Sequence, residues 1–340
     1  MHYWGCLVLI SLWLGSVNAQ DRKLERFILS NAAVSESRAP LYIAKDLGLF
    51  EKYGLNVDIV TIRGSAISTA ALLAGEIQMA LAGSQTAITA AARGAPIVLV
   101  ASVGPTENVI VARPPIATAA QLRGKIIGIG GFGVADYFIV RRIMPRLGLT
   151  PDKDFSYLPT GFTSSFERIN VMLAGKFDAT LASRNNVTRA DVYQKKVNIL
   201  PGTEEQGSGG EFYTTRELLK SRGSQIRALF RAFSEAVRIG RDNREVFNRA
   251  IRRHAKEEHP RLLDAYYENN YFFGPKPNNA HPPERVLDTD LRDSSVNVLE
   301  LRGRKAAEFI DLAPLRDLEK EGFSPGRSER WLGLLTVTVG

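Results

Sequence analysis

Two arginines, Arg38 and Arg184, stand where a predicted strand passes into a predicted helix. A guanidinium group offers a planar fork of N–H donors that fits a carboxylate, a sulfonate or a phosphate. Both arginines are therefore candidates for binding an anionic group. The alternative for each is a loop side chain that meets only solvent.

Small residues, hydroxyl residues and glycines recur at the other predicted helix starts. Free N–H groups at a helix start favour anions, and ligands of open α/β sheets lie beyond the carboxyl ends of the strands. For the hydroxyl residues the alternative is ordinary N-capping. The rings of Tyr42 and Phe132 could stack on a ligand, although Phe132 could equally cover the core. The candidate ligand-binding residues are Ser37, Arg38, Tyr42, Gly64, Ser65, Gly83, Ser84, Gly131, Phe132, Gly133, Thr163, Ser164, Ser183 and Arg184.

The elements that must position these residues recur at an offset of 100 residues. Residues 72–82 align without a gap with residues 172–182, and Ser65 aligns with Ser165. A long internal period indicates two similarly folded units. Small ligands bind preferentially in the cleft between such units. The repeat therefore predicts two lobes that close on a ligand.

Short β-rich runs alternate with helical stretches from residue 27 to about residue 215, which predicts βαβ units and mainly parallel sheets flanked by helices. Amphipathic helices follow and form a helical C-terminal part that we expect to support the first lobe. Segments 108–112 and 211–215 are expected to cross between the lobes and to form the hinge. We therefore expect an α/β fold in which lobe one spans 24–112 plus 211–320 and lobe two spans 113–210. The predicted strands lie at 27–29, 57–60, 77–82, 97–101, 125–129, 155–158, 177–182 and 197–200.

The first 19 residues carry no charged side chain and contain an apolar stretch, which is typical of a secretory signal peptide. Cys6 is the single cysteine and would leave with that segment, so no disulfide or cysteine metal site is expected. It precedes the apolar stretch, which argues against a lipid anchor. We therefore expect a free periplasmic monomer.

The net charge of +8 is spread along the chain without a basic run interleaved with aromatic residues, so no nucleic-acid partner is expected. His254 and His259 are five residues apart, which does not suit a zinc pair on one helix face. Residues 128–133 match the pattern G-x-G-x-x-G of dinucleotide-binding folds. The acidic residue expected at the end of the next strand is missing, so we expect these glycines to admit a ligand's close approach instead. No cofactor and no metal are expected.

Residues 40–55 resemble the hallmark of one family of ABC-importer solute-binding proteins, the nitrate, sulfonate, taurine and thiamine-pyrimidine type. Residues 73–77, 93–98, 122–128, 213–216 and 309–315 fit the same family in its order. The resemblance covers roughly residues 27–317. It implies the two-lobed periplasmic binding fold (type II), delivery of a solute to a permease and its ATPase, and no catalysis.

Two other classes of function stay open at this stage. A ligand-sensing subunit of a signalling system would show the same sequence features. An enzyme on the same scaffold, related to thiamine-pyrimidine synthesis, would use a histidine and cysteines, which a cysteine-free exported chain does not offer. The helix starts, the two arginines and the basic balance favour a small anion such as a sulfonate, nitrate or carboxylate. A neutral pyrimidine would rely instead on Phe132, Tyr42 and hydroxyl groups.

Overall fold

The structure, a computed structural model, describes residues 24–162, 164–273, 280–295 and 298–323. The expected signal peptide, residues 1–19, lies outside the described residues. The strands of the described part are β1 (Glu25–Asn31), β2 (Leu55–Thr61), β3 (Met79–Ala82), β4 (Ile97–Ser102), β5 (Pro105–Ala112), β6 (Lys125–Ile129), β7 (Phe155–Pro159), β8 (Ala179–Ser183), β9 (Asn198–Ile199), β10 (Glu205–Ser208) and β11 (Glu211–Thr215).

The α-helices alternate with these strands as far as β11 and then follow one another. They are α1 (Ala39–Asp46), α2 (Leu49–Lys52), α3 (Ser65–Leu73), α4 (Ser84–Ala92), α5 (Ala135–Arg146), α6 (Ser165–Leu173), α7 (Arg184–Val192), α8 (Arg216–Ser221), α9 (Gly223–Asp242), α10 (Arg244–Ala250), α11 (Pro260–Glu268), α12 (Glu284–Ser294) and α13 (Ala313–Lys320). A short 3-10 turn at Glu36–Arg38 precedes α1.

The strands form two mixed sheets, one in each lobe. The first has the order β2-β1-β3-β11-β4, and the second has the order β10-β5-β8-β6-β7, with β9 also paired to β5. In each sheet three neighbouring strands are parallel, β2-β1-β3 in the first and β7-β6-β8 in the second. Only the strand that arrives from the other lobe, β11 or β5, pairs antiparallel to them. The predicted α/β class and all eight predicted strands are confirmed.

The internal repeat of the sequence is a repeat of structure. The strands β1, β2 and β3 begin 100 residues before β6, β7 and β8, and the helices α3 and α4 begin 100 residues before α6 and α7. The hydroxyl of Ser65 accepts a hydrogen bond from the N–H of Gly83 at 3.0 Å, and Ser165 accepts one from Ser183 at 3.3 Å. The two lobes are therefore built from equivalent parts down to single contacts.

The two segments expected to cross between the lobes are instead buried strands. Residues 108–112 belong to β5 in the second sheet, and residues 211–215 are β11 in the first. An apolar run such as Val109–Ala112, with no exposed surface, is typical of a strand that is covered on both faces. The chain crosses just outside these strands, at residues 103–104 and 209–210. There the N–H of Val103 bonds the Gly210 carbonyl at 3.1 Å, and the N–H of Gly209 bonds the Gly104 carbonyl at 2.9 Å.

Helices cover both faces of each sheet. On the first sheet α1, α2 and α9 cover one face around Phe27 and Phe230, and α3, α4 and α12 cover the other around Tyr213. On the second sheet α5 covers one face, and α6 and α7 cover the other around Phe177. The helical C-terminal part supports the first lobe through α9 and α13, but it also reaches the second lobe, because α11 packs on α7 and α12 packs on α5.

Candidate ligand-binding cleft

A cleft of about 1040 Å³ lies between the two lobes. The first lobe contributes the loop after β1, and the second contributes the starts of α5, α6 and α7. The crossing segments form part of the wall, and the C-terminal helical part adds Glu257, Tyr266 and Asn269. The volume is at the upper end of the range for small-molecule sites.

Five of the predicted site residues line this cleft: Ser37, Arg38, Ser164, Ser183 and Arg184. Thr163 lies outside the described residues. The other candidates are not among the described residues that line the cleft: Tyr42, Gly64, Ser65, Gly83, Ser84, Gly131, Phe132 and Gly133. The structure therefore brings together the candidates on the loop after β1 with those at the starts of α6 and α7.

Packing and chain geometry account for most of the candidates that lie elsewhere. Ser84 is buried and shares a hydrogen bond with Ser208 at 3.3 Å. Gly64 and Gly133 have φ angles of +101° and +77°, a conformation that favours glycine at a turn. The stacking partners expected for a pyrimidine are also placed elsewhere: the Tyr42 ring stacks on His254 at 4.6 Å, and Phe132 packs edge-on against Tyr137.

Arg38 is buried in the cleft wall at 3% exposure. Its guanidinium donates to neutral acceptors, the side chains of Asn31 and Ser37 at 3.3 Å each and the Gly209 carbonyl at 3.1 Å. It forms no ion pair with any carboxylate of the described residues, and its Nη2 atom has no hydrogen-bond partner among them. Burial lowers the pKa of Arg38, yet an arginine stays protonated in proteins. The cleft wall therefore carries a positive charge that no ion pair balances.

Arg184 also lines the cleft, but its charge is balanced. Its Nε lies 3.0 Å from Oε1 of Glu107, and its Nη2 lies 3.6 Å from Oε1 of Glu204. Both partners belong to the same lobe as Arg184. Of the two predicted anion-binding arginines, Arg38 is thus the one whose charge is available to a ligand.

The cleft-lining serines of the second lobe act as helix caps. The Ser164 hydroxyl accepts from the N–H of Glu167, and the Ser183 hydroxyl accepts from the N–H of Asn186, both at 3.4 Å. These bonds leave the hydroxyl hydrogens free to donate. Capping and ligand contact are therefore compatible at these two positions.

A buried ion pair in the second-lobe wall of the cleft is not among the residues predicted from the sequence. Arg168 on α6 lies 3.3 Å from the carboxylate of Asp136 on α5 and donates to the Leu181 carbonyl at 3.0 Å. The repeat held a signal, because Arg168 aligns with Ser68, and both are buried. A charged residue that replaces a small buried one at an equivalent position indicates a specific polar contact.

A second missed residue is Glu211, the first residue of β11 and fully buried. Its two carboxyl oxygens accept from the hydroxyls of Ser102 at 3.4 Å and Ser208 at 3.1 Å. Burial raises the pKa of Glu211 to about 8, against the opposing effects of the Ser208 hydrogen bond and the Arg38 charge. The carboxyl beside the crossing residues 209–210 is consequently mostly protonated at neutral pH.

Side chains of the two lobes also meet across the cleft. Arg189 on α7 lies 3.3 Å from the buried carboxylate of Glu257, which also accepts from the Tyr193 hydroxyl at 3.0 Å. Among the described residues no group of histidine, cysteine or carboxylate side chains is arranged to hold a metal ion. In that same part of the chain no helix has both the length and the apolar character that crossing a membrane requires.

Solved structures of known binding proteins share this fold. SsuA from Escherichia coli, a periplasmic aliphatic sulphonate binding protein, has the same fold with a TM-score of 0.63 and 20% identity over 85% of this chain and 92% of SsuA. NrtA from Synechocystis PCC 6803, a periplasmic nitrate-binding protein, has a TM-score of 0.66 and 14% identity over 90% of this chain and 92% of NrtA. At these identities the likeness concerns the fold alone.

A sequence relative gives a shorter match. It is "Putative binding protein YtlA" from Bacillus subtilis (strain 168), 28% identical over 144 residues, or 41% of this chain. The match spans 43% of YtlA, less than half of that protein's length. The family model described as NMT1/THI5 like matches residues 36–243, which is more than half of the chain. The chain therefore belongs to the NMT1/THI5-like family.

Proposed function

We propose that the protein binds a small anionic solute between its two lobes and delivers it to the permease of an ABC importer. It acts as a receptor and not as an enzyme, and the ATPase that drives transport belongs to the importer. The sulfonate- and nitrate-binding proteins of the same fold support this reading. In this proposal residues 1–19 direct export to the periplasm, where the protein works as a monomer without a lipid anchor.

The observation that carries the proposal is the unbalanced charge of Arg38. Arg168, the other buried arginine among the described residues of the cleft wall, is paired with Asp136. A carboxylate, sulfonate or nitrate oxygen at Nη2 of Arg38 would supply both the missing hydrogen bond and the missing negative charge. The capping serines Ser164 and Ser183 would donate from the opposite lobe, so that a ligand contacts both lobes and stabilises their closed arrangement.

Calorimetry tests the proposal by measuring the binding of four compounds: nitrate, ethanesulfonate, acetate and a neutral hydroxymethylpyrimidine. The wild type should bind at least one of the anions, and Arg38→Gln should bind it more weakly by about 1.5–3 kcal/mol, or roughly tenfold to a hundredfold. Arg38→Lys keeps the charge without the fork and should fall between the two.

Arg249→Gln is the matched control, since it removes one positive charge from an exposed position on α10. Its affinity should equal that of the wild type. Thermal unfolding of each variant shows that the fold persists. Equal anion affinity in Arg38→Gln and wild type, or binding of the pyrimidine alone, would remove the anion from the proposed function.

A further inference from the structure

Glu211 occupies the point where the chain re-enters the first lobe. It directly follows the crossing residues Gly209 and Gly210, and its side chain is fully buried. The Ser102 hydroxyl that bonds this carboxyl also accepts from the N–H of Gly104 at 2.9 Å, on the other crossing segment. The Glu211 carboxyl is thus part of the hydrogen-bond network that joins the two crossing segments, residues 103–104 and 209–210, which together form the hinge of this proposal.

The charged and titratable groups that face Glu211 lie on two other parts of the fold and on its own strand. Arg38 faces it from the 3-10 turn before α1, Asp290 faces it from α12, and Tyr213 follows it on β11. Asp290 is itself held by Arg142 and by the amide of Gln85. Within the described residues no lysine or arginine forms an ion pair with Glu211. Its proton is therefore governed by burial, by serine hydroxyls, by the charge of Asp290, which raises the pKa, and by the charge of Arg38, which lowers it.

Arg38 connects this carboxyl to the cleft. Its Nη1 donates to the Gly209 carbonyl, and its Nη2 packs so closely on Gly210 that a Cβ atom there would lie 2.6 Å away. The same guanidinium lines the ligand cleft. One positive charge therefore stands between the hinge carboxyl and the proposed position of the anion.

We propose that Glu211 is a proton-binding site of the hinge and that an anion entering the cleft at Arg38 is bound together with a proton on this carboxyl. The inference rests on the proposed function, because it needs the anion to occupy Arg38. Solvent supplies the proton, which forms an O–H bond on a carboxyl oxygen of Glu211, and no bond between heavy atoms forms or breaks.

The direction of the coupling follows from the charges. A bound anion offsets the charge of Arg38, and that charge is what favours the ionised form of Glu211. The pKa of Glu211, about 8 in the free protein, therefore rises when the anion binds, so that binding takes up a proton. Below about pH 7 the carboxyl is protonated in both states and affinity is constant. Above about pH 8 affinity falls by at most tenfold per pH unit.

The test uses the full protein and two measurements. Infrared spectroscopy follows the C=O stretching band of the protonated carboxyl in wild type, Glu211→Gln and Glu217→Gln, the last being the same change at an exposed position on α8. A component of this band should titrate near pH 8 in wild type and Glu217→Gln and be absent from Glu211→Gln, whereas the component of Asp290, near pH 7, should remain in all three. Calorimetry with ethanesulfonate and with nitrate, from pH 6 to pH 9.5, should show affinity falling above pH 8 in wild type and constant in Glu211→Gln.

A charge test that needs no anion completes the design. Arg38→Gln removes the charge that a bound anion offsets, so the midpoint of the Glu211 band should move to higher pH. A midpoint in the ordinary carboxyl range, or one that neither Arg38→Gln nor the anion moves, overturns the proposal. Anion binding with the same pH dependence in wild type and Glu211→Gln also overturns it and leaves the proposed function intact. Absence of anion binding at every pH rejects the proposed function itself, and this coupling with it.

Discussion

The side-chain amide of Asn185, in the first turn of α7 on the second lobe, donates a hydrogen bond of 2.6 Å to the Glu36 carboxylate on the first lobe. The carbonyl oxygen of the same Asn185 amide accepts from Asn269 of the C-terminal helical part at 2.5 Å. All three residues line the cleft. One amide therefore holds the lobes together at the cleft, with its donor and its acceptor both used.

Removing this bridge should favour the open arrangement of the lobes. Asn185→Ala loses one hydrogen bond to a charged acceptor and one to a neutral donor, together about 2 kcal/mol. We expect a larger radius of gyration in solution scattering and roughly tenfold weaker binding of ethanesulfonate or nitrate, because the solute must then supply the free energy that the bridge contributed to closure. Asn56→Ala, at an exposed position on β2, is the control. Identical scattering curves for the three proteins would show that the bridge does not hold the lobes.

A second connection between the lobes runs through α12. Arg142 on α5 pairs with Asp290 at 3.6 Å and with Asp293, both on α12, and with Glu205 of β10 at 3.2 Å. Asp290 in turn accepts from Gln85 of the first lobe at 3.0 Å. The helix α12 thus ties the two lobes by a partly buried ion-pair network, away from the residues that line the cleft.

Arg142→Gln should cost about 3 kcal/mol of unfolding free energy, since it leaves buried carboxylates without their cation. Burial raises the pKa of Asp290 to about 7 and Arg142 opposes that rise, so the loss should be larger at pH 8 than at pH 5. Arg141→Gln is the matched control, because Arg141 pairs among the described residues with the exposed Asp152 of its own lobe, and this substitution should cost less than 1 kcal/mol. Urea unfolding at both pH values measures the difference, and equal losses in the two variants would contradict the role of the network.

The fold could be predicted closely because equivalent elements of the two repeats lie 100 residues apart, so that each repeat supports the assignment of the other. Gly75 and Gly175 each end a helix before a short strand at equivalent places, and both have φ near +80°. The lobe boundary was harder to predict from the sequence. Segment 108–112 is apolar, which suits a central strand, and extended, which suits both a strand and a hinge. Sequence pattern alone does not say with which sheet such a run pairs.

The site was only partly predictable, for a different reason. Arg38 and Arg184 were both predicted at strand-to-helix loops, and a tertiary contact distinguishes them. Glu107, 77 residues from Arg184 in sequence, forms an ion pair with Arg184 and not with Arg38. Glu211 gave no signal either, since neither its burial nor its proximity to Arg38 and Asp290 follows from its neighbours in sequence. Charge balance at a cleft is set by residues distant in sequence, which composition and spacing do not reveal.

The glycine pattern at 128–133 should prove to be a packing requirement. A Cβ atom on Gly128 would lie 2.5 Å from Cζ of Phe177, and one on Gly130 would lie 3.2 Å from Oδ2 of Asp136. Gly128→Ala should therefore destabilise the protein by about 1–3 kcal/mol. The double variant with Phe177→Leu should recover part of that loss, which urea unfolding can measure. Gly131→Ala, which meets no atom within 4 Å, should leave stability unchanged.

The hinge carboxyl should make stability depend on pH in a definite direction. The pKa of Glu211 is about 8 when folded, against an ordinary value of 4.5, so between these pH values the folded state holds a proton that the unfolded state has released. Unfolding free energy then falls as pH rises through this window, by up to about 1.4 kcal/mol per pH unit.

Glu211→Gln keeps the shape of the protonated carboxyl and has nothing to titrate, so the variant should gain on the wild type steadily from pH 5 to pH 8 and no further above it. Asp290 titrates in both proteins and its charge also raises the pKa of Glu211, so the difference reports the Glu211 proton together with its coupling to Asp290. Urea unfolding at pH 5, 6.5, 8 and 9 gives that difference directly. If it stayed constant across the series, the Glu211 carboxyl would have to be ionised at neutral pH, with its charge balanced by Arg38.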